Sequence, residues 1–179
     1  MKLKPIALAC AAAFMSMMPA KATGTFDEHK HLYNTIQAHG VTIKINDPRE
    51  CNKGVDGSYY SRGGILHICQ DNARPGGPEI DWTANDLDTL RHEAHHMVQD
   101  CVLGRLGDTQ LKPLYGNRAE VLTFVRSTIG EQMANSLMNA PAYRDAPDHV
   151  KLTEMEAFAA AAHVTPTQIA DKLNELCRA

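Results

Sequence analysis

The chain has 179 residues, a formal net charge of −3 and 44% hydrophobic residues. That is enough for one globular domain with its own core and too little for a two-domain nucleotide enzyme. Lys and Arg do not exceed Asp and Glu, which excludes a basic nucleic-acid footprint, and no run reaches the length of a membrane-spanning helix.

The first 22 residues read as a secretory signal peptide. Lys2 and Lys4 precede an apolar run from Ile6 to Met18, and Ala20-Lys21-Ala22 is a small-x-small cleavage site. Cys10 lies inside the apolar run, which is a poor place for lipid attachment. The mature chain is expected to start near Thr23, to be secreted or periplasmic, and to form a single domain over residues 23–179. Loss of the three leader lysines takes the net charge from −3 to −6.

Next, Phe26 to His39 reads as a helix stopped by Gly40. Val41, Ile43 and Ile45 alternate with polar residues as a strand, and Ile65 to Cys69 is a second strand. The section between them is rich in turn residues and hairpin-like. Helices are expected from about Thr83 to Leu103, Asn117 to Asn139 and Asp148 to Ala162. A last one opens at the Thr165-Pro166-Thr167-Gln168 capping box. Strands first and helices after predict an α+β fold, with a small N-terminal antiparallel sheet and a helical C-terminal part.

The mature chain keeps four cysteines, an even number that reads as two disulfides in an exported protein. Of the three pairings, Cys51–Cys69 would tie the turn-rich section. Cys101–Cys177 would pin the terminal helix beneath the Thr83–Leu103 helix, because both cysteines lie on apolar faces. A cysteine zinc site is disfavoured, since no Cys-x-x-Cys pair exists.

The chemistry sits in Leu90-Arg91-His92-Glu93-Ala94-His95-His96, which contains His-Glu-x-x-His. Two histidines four apart share one helix face and can grip one Zn²⁺. Glu93, rotated to the side of the metal, is the candidate catalytic base. At 100° per residue, Leu87, Leu90, Ala94, Met97, Val98 and Cys101 form a core face, and His92 and His96 project opposite to it, as the floor of a cleft would. His95 lies between the two faces.

These residues resemble the zincin metallopeptidases. In that group the third ligand comes from further down the chain, and a Glu ligand often sits on a second helix. Thr153-Glu154-Met155-Glu156-Ala157-Phe158 resembles the Glu-x-Glu-Ala-Asp segment of the HtpX-like zincins, whose first Glu is the ligand. The resemblance therefore implies His92, His96 and Glu154 as ligands, with Glu156 second in order. Phe158 stands where those proteins carry an Asp that supports a ligand histidine. The two glutamates are 200° apart on a helix, so only one can point at the metal. Residues 155–162 are almost wholly apolar, which predicts a buried helix whose carboxylates need a partner or a metal. Glu120 is another candidate, as is Asp108, which would resemble the aspzincins.

The resemblance also implies that the strand Ile65–Cys69 could hold an extended peptide by main-chain pairing. Oxyanion donors could come from Tyr59, Tyr60, Tyr115, Tyr143, Arg144 or His149. The expected function is a secreted zinc metallopeptidase acting on peptide or protein substrates. The alternatives are a non-catalytic zincin-fold binding or inhibitor module, and a zinc hydrolase of cell-wall peptides.

Overall fold

The structure is a computed structural model that describes residues 24–107 and 109–177. The expected leader and its cleavage site lie outside the described residues, as does Asp108.

Among the described residues, seven helices and three strands give the expected α+β class: α1 (Phe26–Ala38), β1 (Thr42–Ile45), α2 (Pro48–Cys51), β2 (Gly57–Tyr60), β3 (Ile65–Ile68), α3 (Ala84–Cys101), α4 (Arg118–Ile129), α5 (Glu131–Asn139), α6 (Asp148–His163) and α7 (Pro166–Leu176). Four helices begin with a reciprocal capping box, led by Thr25, Thr83, Asn117 and Thr165. In each, two otherwise unpartnered N–H groups are satisfied locally, so the start is fixed before any packing.

The sheet differs from expectation. It is mixed, in the order β1-β3-β2, with β1 and β3 parallel and β2 and β3 antiparallel. Strand β2 opens with Gly and Ser amid turn residues, so its strand character is weak in the sequence. It returns into β3 through a 3₁₀ turn whose Gly64 has φ of 56°. With β2 added, the outer β1 meets β3 running the same way. β3 thus spends its main-chain groups on both neighbours, and the expected role of this strand as a substrate-holding edge is ruled out. Pairing leaves β1 and β2 as the edges.

The helix expected over Asn117–Asn139 is two helices. Gly130, at φ 81°, leaves the helical region and separates α4 from α5.

Two apolar cores follow. The first joins α1, the sheet, α3 and α7 through Leu32, Ile36, Leu66, Ile68, Leu90, Met97, Ile169 and Leu173. The second joins α4, α5 and α6 through Val121, Val125, Leu137, Met155 and Phe158. Both disulfides are formed as expected, Cys51–Cys69 and Cys101–Cys177, and the second holds α7 to the end of α3. Among the described residues no helix is long and apolar enough to cross a membrane. Two disulfides without such a helix are compatible with an extracellular location.

Candidate metal centre

Helix α3 is buried at every residue from Thr89 to Cys101. Its apolar stripe meets the first core. The side opposite, expected to floor an open cleft, is covered by α6. The two helices run antiparallel and are tied at both ends: Arg91 Nε donates to the Ala161 carbonyl at 2.8 Å, and Gln99 Nε2 donates to the Thr153 carbonyl at 2.9 Å. Ala157, Ala159 and Ala160 on α6 have no exposed surface, and their small side chains let the two helices approach closely.

Between those ties lie His92, His96 and Glu154, at 0%, 2% and 1% exposure. His92 Nε2 and His96 Nε2 are 3.1 Å apart; His92 Nε2 lies 3.5 Å from Glu154 Oε2 and His96 Nε2 lies 3.4 Å from Glu154 Oε1. Three donors at about 2.0–2.1 Å from one tetrahedral cation stand about 3.4 Å from one another. The three side chains therefore fit a metal ion, and they are the group among the described residues able to hold one. Two neutral imidazoles and a carboxylate suit zinc and other first-row divalent ions.

The charges in the group agree with this. Burial pushes the His92 imidazole down to about 4, outweighing the nearby Glu154. Burial also disfavours a charged His96, but the Glu154 carboxylate and Glu93 outweigh it and raise that imidazole to about 9. Burial alone would raise the Glu154 carboxyl, and the His96 charge beside it holds it far below the usual range instead.

Other groups hold these three in place. Tyr143, buried, donates to Glu154 Oε2 at 3.0 Å. Phe158 packs edge-on against the His92 ring, with centroids 4.5 Å apart. Glu156 is not part of the group. Its Oε1 accepts from His95 Nε2 at 2.8 Å, Gln99 Nε2 at 3.1 Å and the Leu114 N–H at 2.8 Å, and its Oε2 accepts from the Tyr115 N–H at 3.2 Å. These donors outweigh the effect of burial and keep the Glu156 carboxyl below its ordinary range.

Glu93 is 1% exposed and turns toward β2. A methyl group on Gly57 would come within 2.6 Å of Thr89 Cγ2, 2.9 Å of the His67 carbonyl oxygen and 3.1 Å of Glu93 Cγ. Gly57 is thus the space through which α3 and the Glu93 side chain lie against the strand.

No family model, curated protein or solved structure matches the chain.

The remaining candidates are placed elsewhere. Glu120 caps α4 by accepting from the Asn117 N–H at 2.9 Å. Tyr59 donates to Asp100 and Tyr60 to Glu50, Tyr115 stacks on Phe124, and Arg144 and His149 are exposed. Of the candidate oxyanion donors only Tyr143 reaches the metal group, and it does so through Glu154. Sequence reasoning missed Gln99 and Gly57. Gln99 carried one signal, its position three residues after His96 on the same helix.

Proposed function

We propose that the chain is an exported, zinc-dependent peptidase of the zincin type. The observation that carries this reading is Glu93. It is a buried carboxylate next in sequence to a ligand, outside the ligand set, and seated where Gly57 makes room for it. Burying an ionisable group is costly, and a site that only held a metal would not need this one.

His92, His96 and Glu154 would hold the cation, which supplies Lewis acidity toward a peptide carbonyl when bound. Glu93 takes a proton from the attacking water and delivers it to the leaving amine nitrogen. Tyr143 keeps the Glu154 carboxylate oriented, and Phe158 fixes the His92 ring and excludes water from one side of it. The leader over residues 1–22 and the two disulfides support export to the periplasm or beyond.

The test is Glu93→Gln in the zinc-loaded protein. Zinc content should stay at about one per chain while hydrolysis of a peptide library falls by about 10²–10⁴. Equal hydrolysis by the variant would overturn the assignment.

The near-complete burial of His92, Glu93, His96 and Glu154 favours a second reading, a metal-clasped binding module without catalysis. Zinc-loaded wild type that cleaves nothing in the same library would select it.

A further inference from the structure

Resting on the metal reading above, we propose that Gln99 and Glu156 are positioning residues that fix which nitrogen of His96 faces the metal.

The argument is one of hydrogen-bond accounting. The Gln99 side chain carries an amide oxygen that only accepts and an NH₂ that only donates. One end of it lies 2.9 Å from the Thr153 carbonyl and 3.1 Å from Glu156 Oε1. Both are pure acceptors, so that end must be the NH₂. The oxygen is left facing His96 Nδ1 at 2.7 Å. An oxygen there accepts, so His96 Nδ1 must carry a hydrogen. The His96 Nε2 lone pair then points at His92 and Glu154, where a cation would sit. The reverse amide orientation would set an NH₂ against His96 and an oxygen against two oxygens.

Glu156 is what makes this orientation obligatory. Thr153 alone supplies one acceptor, whereas the Glu156 carboxylate supplies a charged one and is itself held from three sides by His95, Leu114 and Tyr115. It cannot rotate away without leaving those donors unsatisfied in a buried place. The chain of control runs from the main chain of residues 114–115, through Glu156 and Gln99, to His96. The carboxylate that reads from sequence as a rival ligand acts two side chains away from the metal. Such outer partners typically change metal affinity by about 10–100-fold.

The first measurement is long-range ¹H–¹⁵N NMR on the full, zinc-loaded chain. His96 should carry its hydrogen on Nδ1, and a hydrogen on Nε2 would overturn the inference whatever the variants do. The second is zinc affinity by chelator competition, with the visible spectrum of the Co²⁺ form alongside. Gln99→Met keeps the bulk of the side chain and removes both hydrogen-bonding ends. It should weaken zinc binding about 10–100-fold and alter the Co²⁺ bands. Glu156→Ala should do the same. The double variant should be no weaker than Gln99→Met by more than a few-fold, since both act through one route. Glu156→Gln can keep Oε1 as the acceptor and should bind zinc nearly as wild type does. Unchanged affinity in Gln99→Met, or fully additive losses, would overturn the proposal. Wild type that binds no zinc would instead overturn the metal reading beneath it.

Discussion

The two cores are built by different means. The first, around α3, carries both disulfides, the sheet and the packed terminal helices. The second, α4 to α6, has no covalent tie among the described residues and rests on aliphatic and aromatic contacts. The candidate metal group straddles them, with His92 and His96 from the first and Glu154 from the second. One half is cross-linked covalently, and the other is joined to it by hydrogen bonds and close packing between α3 and α6 and, if the group holds a cation, by that cation as well. A cation bound there would couple the integrity of the site to the docking of the two halves.

Removing a ligand tests this most severely. His96→Ala should lose zinc by well over the roughly 100-fold typical of outer partners. Amide hydrogen exchange should then accelerate in residues 118–163 more than in residues 26–45. Equal acceleration in both would break the comparison. On α6, Glu154→Gln should weaken zinc binding strongly and Glu156→Gln little, and the reverse order would move the metal.

Reduction of the disulfides sharpens the comparison from the other side. In the chain-entropy picture Cys101–Cys177, closing 76 residues, constrains the unfolded chain by about 4 kcal/mol, and Cys51–Cys69, closing 18, by about 3 kcal/mol. Removing the first should lower the melting temperature and zinc retention together. A Cys51→Ser/Cys69→Ser variant should lose stability while keeping more of its zinc. Equal zinc loss in both would show that the α3–α7 bond has no special bearing on the site.

A smaller effect is expected at Gly57. Gly57→Ala places a methyl against a main-chain oxygen that cannot yield, so a loss of about 1–3 kcal/mol follows. Activity should fall with it, with zinc content unchanged. Wild-type activity in this variant would show that Glu93 is not positioned by the strand.

The smallest effect is one of pH and belongs to the first core. Burial lowers the imidazoles of His29 and His67. His29 accepts from the buried Arg91 and donates to the Thr25 carbonyl at 3.0 Å, an arrangement only the neutral ring satisfies. The unfolded chain therefore binds these protons more readily than the folded one. The stability contributed by these two histidines should be full above the unfolded value of about 6.5 and should decline as pH falls below it. His29→Gln should flatten part of that slope, seen by urea unfolding between pH 7 and 5. An unchanged slope would remove His29 from the account.

What the sequence reveals is what is local. The helix starts at Thr83, Asn117 and Thr165 are written in four residues each, and the His92–His96 spacing sets two donors on one turn wherever the helix lies. Glu154 is legible at one remove, since an apolar helix must find a partner for a carboxylate. The joint role of Gln99 and Glu156 is not legible, because it depends on partners 41 to 61 residues away. β2 is missed because pairing with β3, not its own side chains, makes it a strand. The break at Gly130 is missed because an isolated glycine inside a helical pattern is tolerated at a cost of about 1 kcal/mol and does not by itself end a helix.

The Cys101–Cys177 bond has a further consequence. The segment it closes contains α4, α5 and α6 entire, together with the exposed connection that follows Cys101. Exposed connections are where proteases cut. A single nick anywhere between Cys101 and Cys177 leaves two fragments still bonded to each other, one bearing His92 and His96 and the other Glu154 whenever the cut precedes α6. The nicked chain would run as two bands only after reduction.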